Sequence, residues 1–358
     1  MSRITVFKSE SPQLTSGIVL AGTFPWANSL FEQLAPRPLV PVAHRPLIDF
    51  ALTWLQAGGV HQVVICGNRN SRALEAQISR GPSAAIELSY LEDSMPRGAA
   101  GCVRDAAMSC AADRFVVTDA AAIPTLDLRE LLAIHDHSGA ALTMAVYHEA
   151  RSGGRAPLRV PAGIYVVDRR IIELVAPRGF VDIKEHLIPR LVRAGERIAT
   201  YAVEGAVARV LNAHTYLAVN DIVTARTTSA RDLRPGYDPQ GQALVHRDAI
   251  VESGVIFVGP VLVAAGAHIE AGAVLIGPTS IGCDATVGAG ALISRSAVWR
   301  RSRIGAGASL DRSILGDDSV VAAGRQLNRA VIAGESPRAM VAVLAHPAAG
   351  THSPRSAA

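Results

Sequence analysis

Three side chains of this sequence stand where they could act on a ligand, and each also has a purely structural interpretation. Asp119 follows the apolar run 115–118, so it falls at the end of a predicted strand, where a carboxylate either binds a metal ion or caps the next loop. Arg37 lies between two prolines, and its guanidinium either contacts a phosphate or forms a surface ion pair. His268 is either a base for acyl transfer or an ordinary histidine on a strand. The elements that position these residues therefore have to be identified first.

The first half of the chain alternates short apolar runs with segments of helical spacing. The predicted strands are 16–22, 62–67, 115–118 and 141–146, and the predicted helices are 47–57, 71–79 and 128–138. This alternation is typical of a mostly parallel sheet covered by helices, so we expect a Rossmann-like α/β domain. Such sheets bind their ligands at the carboxyl ends of the strands, which is where Asp119 falls.

The second half of the chain has a different period. Nine apolar residues recur at every sixth position, and a small or β-branched residue follows each of them by four places. The nine are Val245, Val251, Phe257, Val263, Ile269, Leu275, Ile281, Val287 and Ile293. Hexapeptide periodicity of this kind predicts a left-handed parallel β-helix, with three short strands per triangular coil and the aliphatic residue inside. The period slips near Trp299 and then resumes at Ile304, Leu310 and Leu315.

These patterns predict five segments. They are an N-terminal extension 1–15, the α/β domain 16–223, a polar linker 224–243, the β-helix 244–337 and a flexible tail 338–358. A net charge of +4 without a basic stripe argues against nucleic acid as a partner. The four cysteines form no CxxC pair, and no run reaches the roughly 18 apolar residues that a membrane helix needs. We expect a cytoplasmic protein that binds neither nucleic acid nor a membrane.

Five short motifs of the first half occur in an order and at spacings that are specific as a set. They are Leu20-Ala21-Gly22, the stretch 36–47 (PRPLVPVAHRPL), the turn 96–101 (PRGAAG), the strand 162–165 (AGIY) and the segment 180–189 (FVDIKEHLIP). They resemble the glycine-rich nucleotide loop, the PKPLVPVANKPLI stretch, the PLGTAG turn, the NAGIY strand and the FDLEKDLLP segment of the nucleotide-sugar pyrophosphorylases. With the hexapeptide half behind them, the whole layout resembles that of the mannose-1-phosphate guanylyltransferases.

The resemblance implies attack of a sugar-1-phosphate on the α-phosphorus of a nucleoside triphosphate, with release of pyrophosphate. Such a reaction depends on Mg²⁺, a basic residue and accurate positioning. By resemblance, Arg37 is the basic residue and Asp119 a weak catalytic or metal-binding candidate. The expected nucleotide-binding residues are Leu20, Ala21, Gly22, Pro96, Gly98 and Ala99, and the expected sugar-binding residues are Gly163, Tyr165 and Asp182.

The sequence departs from the family where the charges should be. The family loop GGxGTRL is matched by 22–28, in which Pro25 removes an amide donor, Trp26 fills the space for phosphate and Ala27 replaces the arginine. Without gaps, the first metal-binding aspartate is Ala121, so Asp119 serves only if the loop shifts by two residues. The second metal position holds Arg209, which could instead hold a phosphate. If the protein is active it should use Mg²⁺, and otherwise we expect no cofactor.

Three hypotheses follow for the function. The first is a catalytically impaired family member that binds a nucleotide or nucleotide-sugar and acts as a regulatory or scaffolding subunit. It would form homo-oligomers, or hetero-oligomers with an active paralogue. The second is an active sugar-1-phosphate nucleotidyltransferase with a remodelled loop. The third is a hexapeptide acyltransferase that uses His268.

Overall fold

The structure is a computed structural model, and it describes residues 14–22, 29–68, 74, 86–92, 96–149, 158–204, 208–229, 234–334 and 340–344. The chain forms two compact units. The N-terminal unit contains Met1–Phe24, Arg37–Leu39 and Leu47–Ala208, and the C-terminal unit contains Pro25–Pro36, Val40–Pro46 and Arg209–Ala358. The segments 25–36 and 40–46 therefore belong with the second half of the chain, although their place in the sequence assigned them to the first.

The N-terminal unit is built on a seven-stranded sheet. Its strands in chain order are β1 (Thr15–Leu20), β2 (Gln62–Gly67), β3 (Glu87–Glu92), β4 (Arg114–Asp119), β5 (Leu142–Glu149), β6 (Leu158–Asp168) and β7 (Ile198–Ala202). They lie in the order β7-β5-β6-β4-β1-β2-β3. Strand β6 runs antiparallel to both of its neighbours, and all other pairs are parallel. The expected α/β fold with a mostly parallel sheet is confirmed.

Helices cover both faces of this sheet because neighbouring strand residues point to opposite sides. The helices are α1 (Leu47–Ala57), α2 (Gly98–Met108), α3 (Leu128–Ser138) and α4 (Ile188–Arg193). In β1, Val19 belongs to a core cluster with Leu52 of α1, whereas Ile18 belongs to a second cluster with Val103 of α2. Both strand residues are fully buried. A strand buried on both faces reads as a continuous apolar run, which is why this one was recognisable in the sequence.

The C-terminal unit contains a parallel β-helix together with the short helix Leu30–Leu34, the hairpin strands Pro41–Val42 and Arg45–Pro46, and helix α5 (Ala213–Ser229). The first sheet of the β-helix has Ala243–His246, Val261–Val263, Thr279–Ile281, Ala297–Val298, Ile314–Leu315 and Ala330–Ala333. The second has Ile250–Val251, His268–Ile269, Thr286–Val287, Arg303–Ile304 and Val320–Val321. The third has Ile256–Val258, Val274–Ile276, Leu292–Ser294, Ser309–Asp311 and Gln326–Asn328.

The aliphatic residues at six-residue spacing form the core of this β-helix. Seven of the nine are buried, namely Val245, Val263, Ile269, Leu275, Ile281, Val287 and Ile293. Val251 and Phe257 are partly exposed but pack against the same core. Each strand pairs in parallel with the strand one coil later, so side chains of the same kind stack along the axis.

The slip of the period near Trp299 has a structural cause. Strand partners are 18 residues apart in the early coils, as in Val261 with Thr279, and 17 apart later, as in Ala297 with Ile314. The shorter coils lose one residue at the corner between the third and first sheets, where Gly277-Pro278-Thr279 is replaced by Arg295-Ser296. Such a tight corner requires the left-handed backbone conformation, and Arg295 has a φ of 44°.

The ends of the β-helix differ from the sequence-based expectation. The segment 224–243, expected as a linker, includes the end of α5 and the strand Tyr237–Gln240, which pairs antiparallel with Ala243–His246. Within the expected tail, Met340–Val343 pairs antiparallel with Ala330–Ala333. These additions occupy both edges of the first sheet, whose open hydrogen-bonding groups favour pairing with another strand. No helix among the described residues is both long and apolar enough to cross a membrane.

The stacked core gives a direct test of the coil assignment. Val263 is fully buried, so Val263→Asp leaves an uncompensated charge in the core and should lower the free energy of unfolding by ~3–5 kcal/mol. Val258 is 49% exposed on the neighbouring strand, so the matched control Val258→Asp should have little effect. Chemical denaturation followed by circular dichroism measures both, and equal losses would contradict the assignment.

Candidate functional site

The expected nucleotide loop begins at the carboxyl edge of the central strands. Leu20 ends β1 and lies in register with Asp119, which ends β4. The Ala21 N–H donates to the Cys66 carbonyl at 2.8 Å, and the Ala120 N–H donates to the Leu20 carbonyl at 3.1 Å. Three parallel strand ends are thereby joined at one edge. Residues 23–28, which contain Pro25, Trp26 and Ala27, lie outside the described residues.

Asp119 uses its carboxylate to shape the turn that follows it. Its Oδ1 accepts a hydrogen bond from the Ala121 N–H at 2.8 Å, as in an Asx turn. Ala120, Ala121 and Ala122 are all buried at 1% exposure or less. This hydrogen bond is the one expected of a loop-capping aspartate, and the role of Asp119 as a metal ligand stays a prediction.

The described residues do not fit a Mg²⁺ site. Mg²⁺ requires oxygen ligands, and at the aligned positions Ala121 offers a buried methyl group while Arg209 offers a cation. Across the described ranges, no group of three or more His, Cys, Asp or Glu side chains lies close enough to hold a metal ion.

Two of the family-like motifs meet in the N-terminal unit. Gly98 starts α2 with a φ of +71°, and a Cβ at this position would lie 2.7 Å from the Val181 carbonyl oxygen. That oxygen accepts hydrogen bonds from the Ala100 and Gly101 N–H groups, and the Val181 N–H donates to the Arg97 carbonyl. The turn 96–101 and the segment 180–189 therefore form one hydrogen-bonded assembly. Pro96 is exposed and Ala99 is partly buried beside it.

The Arg97 side chain stabilises the same assembly. Its Nε lies 2.9 Å from an oxygen of Asp105, and its Nη atoms donate to the carbonyls of Gly179 and Ala176. This arginine occupies the position of the leucine in the family's PLGTAG turn. Its side chain links α2 to the segment that precedes Val181 through these contacts.

The expected sugar-binding residues have structural roles. Tyr165 is 5% exposed and belongs to the hydrophobic core on the α2 face of the sheet. The Asp182 Oδ1 caps the helical turn Ile183–Leu187 by accepting from the Lys184 and Glu185 N–H groups at 2.7 and 3.0 Å. Gly163 has a φ of +78° in β6, close to the bulge that shifts the pairing between β5 and β6.

The stretch 40–46 is held by residues of the C-terminal unit that the sequence did not single out. The Ala43 N–H donates to Oδ1 of the fully buried Asn220 at 3.0 Å, and the Asn220 Nδ2 donates to the Ser280 hydroxyl at 3.2 Å. The Tyr216 hydroxyl donates to the Pro41 carbonyl at 2.8 Å. Nothing in the sequence indicated this role, because hydrogen bonds between residues so far apart in the chain follow no fixed residue spacing.

His44 and Arg37 lie in the same motif. Burial, together with the nearby Arg234, lowers the pKa of His44 to about 3, so its imidazole is neutral at physiological pH. Arg37 begins the short 3₁₀ turn Arg37–Leu39 and is partly buried. Its role as the basic residue of the site stays a prediction.

Comparisons with known proteins match both halves of the chain. Residues 13–153 match the family described as Nucleotidyl transferase, and residues 257–346 match the GMPPB C-terminal domain. These matches support the assignment of the chain to the sugar-1-phosphate nucleotidyltransferase family. The predicted resemblance is thereby confirmed.

Relatives within this family act on different sugars. Mannose-1-phosphate guanylyltransferase of Mycobacterium tuberculosis is 24% identical over 249 residues, which is 63% of this chain and 68% of the relative. Glucose-1-phosphate thymidylyltransferase of Streptomyces griseus is 25% identical over 279 residues, which is 68% of this chain and 76% of the relative. The crystal structure of HddC from Yersinia pseudotuberculosis, also solved with GMP-PN, has a TM-score of 0.50 and covers 59% of this chain and 99% of that chain. Its sequence identity is 14% without the ligand and 13% with it, so it supports the fold alone.

The contact between the turn 96–101 and the segment 180–189 predicts that a glycine-to-alanine substitution at Gly98 lowers stability more than the same substitution at Gly195. Gly98→Ala adds both a left-handed strain and a clash with the Val181 carbonyl, so it should cost about 3 kcal/mol of stability. Gly195 has almost the same φ, +72°, with nothing within 4 Å of an added Cβ. Gly195→Ala should therefore cost only about 1 kcal/mol. Urea denaturation compares the two variants, and a loss no greater at Gly98 would show that the assembly tolerates a side chain there.

Proposed function

We propose that this chain binds a nucleotide or nucleotide-sugar without efficient Mg²⁺-dependent transfer, and that it acts as a regulatory or scaffolding subunit. The observation that carries the proposal is the turn after β4. Ala121, at the aligned metal position, is fully buried and has no side-chain oxygen, and the nearest carboxylate in sequence, Asp119, is hydrogen-bonded to the Ala121 N–H.

The missing charges matter because the reaction depends on electrostatic stabilisation. A group that stabilises developing charge in a transition state typically contributes about 3 kcal/mol, or 10²–10³ in rate. Mg²⁺ would supply charge neutralisation for the triphosphate. In this chain Arg209 adds a positive charge to the second metal position, where it opposes a metal ion but could pair with a phosphate.

Binding is supported by the parts of the site that persist. Gly22 is exposed, and a Cβ added there would have no described residue within 4 Å, which favours close approach of a ligand to the end of β1. Leu20, Ala21, Pro96, Gly98 and Ala99 remain the proposed nucleotide-binding positions. For the sugar, the core position of Tyr165 and the capping role of Asp182 favour backbone contacts near Gly163 over those two side chains.

The active enzyme is the second candidate, and the named activities of the relatives favour it. It would require the Asp119 carboxylate to bind a ligand through an oxygen lone pair that the Ala121 N–H does not occupy. A hexapeptide acyltransferase has less support, because the His268 Nε2 lies 2.7 Å from the Glu252 Oε1 of the preceding coil. This contact and the Ala271 N–H hold the pKa of Glu252 below its usual value, so His268 has a hydrogen-bonding role between two coils.

The proposal predicts little or no pyrophosphate release from any nucleoside triphosphate and sugar-1-phosphate in the presence of Mg²⁺. The reason is the absence of counter-charge at the aligned metal positions. Coupled detection of pyrophosphate, with GTP, UTP and dTTP each tested against mannose- and glucose-1-phosphate, measures it. Turnover near the roughly 1 s⁻¹ that is ordinary for enzymes would overturn the proposal, and Asp119→Ala should then abolish the activity.

Restoring the first carboxylate tests the aligned metal position. Ala121→Asp should bind Mg²⁺ more tightly than the wild type, because it adds an oxygen ligand with a negative charge at that position. The control Ala121→Asn has nearly the same volume without the charge. Circular dichroism first establishes that both variants are folded, because Ala121 is fully buried. Calorimetry with Mg²⁺, and with GTP, UDP-glucose and GDP-mannose for ligand binding, then compares them, and equal metal affinities in the two variants would refute the alignment.

A regulatory subunit needs a partner, and we propose that the third sheet of the β-helix provides the contact with a second copy or an active paralogue. Ile256 and Leu292 are 54% and 39% exposed, and they lie in register on either side of Val274. Val258 is exposed on the same sheet. A row of exposed aliphatic residues favours association with another apolar surface.

Light scattering should detect a dimer or larger species, alone or with the paralogue, that Ile256→Lys/Leu292→Lys dissociates. The control Ile250→Lys changes an equally exposed residue on the second sheet and should leave the assembly intact. A monomer at all concentrations, with no complex formed with the paralogue, would exclude this role for the third sheet.

A further inference from the structure

The C-terminal unit contains a cavity that none of the family-like motifs uses. Its volume is about 290 Å³, and it lies between one face of α5 and one corner of the β-helix. Helix α5 contributes His214 and Asp221, which are seven residues apart and so fall on the same helical face. The β-helix contributes three arginines, Arg295, Arg312 and Arg329.

The three arginines are stacked by the repeat of the β-helix. They are 17 residues apart, and each directly follows a strand of the third sheet, at the corner that leads to the first sheet. Successive coils of a parallel sheet are ~4.8 Å apart, so three positive charges line one edge of the cavity within about 10 Å. Like charges at this spacing repel one another unless an anion lies among them.

Only part of this charge is neutralised by the protein. Arg295 forms an ion pair with Asp311 at 2.8 Å. Arg312 and Arg329 have no carboxylate within 4 Å among the described residues. On a different corner, Arg301 has the same left-handed conformation but lies between Asp284 of the preceding coil and Asp318 of the next coil, and it forms an ion pair with Asp318. The β-helix can therefore neutralise an arginine at a corner, and at this cavity it leaves two without a partner carboxylate.

The backbone makes arginine an unfavourable choice at this corner. Arg295, Arg312 and Arg329 have φ values of 44°, 45° and 50°, in the left-handed region that favours glycine. Glycine occupies left-handed turns elsewhere in the same β-helix, for example Gly290 and Gly307. A local preference that is broken three times in register indicates that the side chain has a use at this position.

Asp221 faces the arginines from α5 and is not fully satisfied. Its Oδ1 is shielded from solvent and has no hydrogen-bond partner within the described ranges. Burial raises the pKa of this carboxyl to about 7, although Arg295 and Arg312 act in the opposite direction. Near neutral pH the group is therefore partly protonated, and a protonated carboxyl can donate a hydrogen bond to an anion instead of repelling it.

We propose that this cavity binds a tetrahedral oxyanion of the phosphoryl or sulfate class, held by Arg312 and Arg329 with Arg295 beside them. Planar guanidinium groups match such oxygens in paired hydrogen bonds. The volume is large enough for more than a single tetrahedral group, so pyrophosphate is a suitable probe beside sulfate. The residues of this site all belong to the C-terminal unit, whereas the proposed nucleotide-binding residues belong to the N-terminal unit.

The test is calorimetry of the full-length protein with sodium sulfate and with pyrophosphate, at constant ionic strength maintained with NaCl. The wild type should bind both saturably, and Arg312→Gln/Arg329→Gln should weaken sulfate binding by about tenfold or more, because each lost charge-assisted hydrogen bond has an effect of that size. The control Arg303→Gln/Arg325→Gln removes the same charge from exposed positions outside the cavity and should change binding by less than about twofold. No saturable binding, or equal weakening in both doubles, would overturn the proposal.

Two further measurements keep the test decisive. Thermal melts without sulfate establish that the variants are folded. If Arg312→Gln/Arg329→Gln is not folded, the single variant Arg312→Lys replaces it. Lysine keeps the charge but cannot form the paired hydrogen bonds of a guanidinium, so this variant should still weaken sulfate binding by about threefold or more. Unchanged affinity in Arg312→Lys would contradict direct contact.

The pH dependence tests the arrangement around Asp221. Sulfate keeps its charge between pH 6 and 8, so any change in its affinity reports on the protein. Asp221 loses its negative charge as the pH falls, and we therefore expect tighter sulfate binding at pH 6 than at pH 8. The other charged or titratable side chains that line the cavity are His214 and the three arginines, with Asp311 paired to Arg295. The comparison is therefore made in a His214→Gln background, where Asp221→Asn should flatten the profile. A slope that persists in Asp221→Asn would exclude Asp221 as its source.

Discussion

Parallel strand pairing is the constraint on which both units of this protein depend. A parallel pair cannot be closed by a tight hairpin, so the chain must travel between every two paired strands. In the N-terminal unit it travels through helices, and the strand ends collect at one edge, where Leu20 meets Asp119 in register. In the C-terminal unit it travels around a coil, and the length of each corner decides which side chains stack.

At the carboxyl edge of the N-terminal sheet, a single residue changes the chemical character of the site. Asp119 is near the place where the family binds a metal ion, but its Oδ1 is hydrogen-bonded to the backbone of Ala121. The turn is closed by three buried alanines, which pack well and supply no charge. The packing of this turn does not by itself decide whether the electrostatic requirements of phosphoryl transfer are met, because packing and catalysis depend on different atoms.

In the β-helix, corners with the same backbone conformation differ in the charged groups that surround their side chains. Arg301 and Arg312 both lie at corners of the β-helix, and both have a backbone φ in the left-handed region. Their surroundings differ. Arg301 donates a hydrogen bond to Asp318, and this bond lowers the pKa of the Asp318 carboxyl, whereas Arg312 lines a cavity. The repeat fixes where the side chains point, and the neighbouring coil or helix decides what they can bind.

The sequence by itself determined the two architectures, because buried parallel strands and inward aliphatic residues at every sixth position leave patterns that need no tertiary information. It also located the motifs that carry the family, since these consist of adjacent residues. It did not reveal that 40–46 packs with Asn220 and Tyr216, that Asp182 caps a helical turn, or that three arginines 17 residues apart share a cavity with Asp221. Those relations depend on which segments meet across the fold, and hydrogen bonds between residues far apart in sequence follow no local spacing rule. Only the tertiary structure decided them.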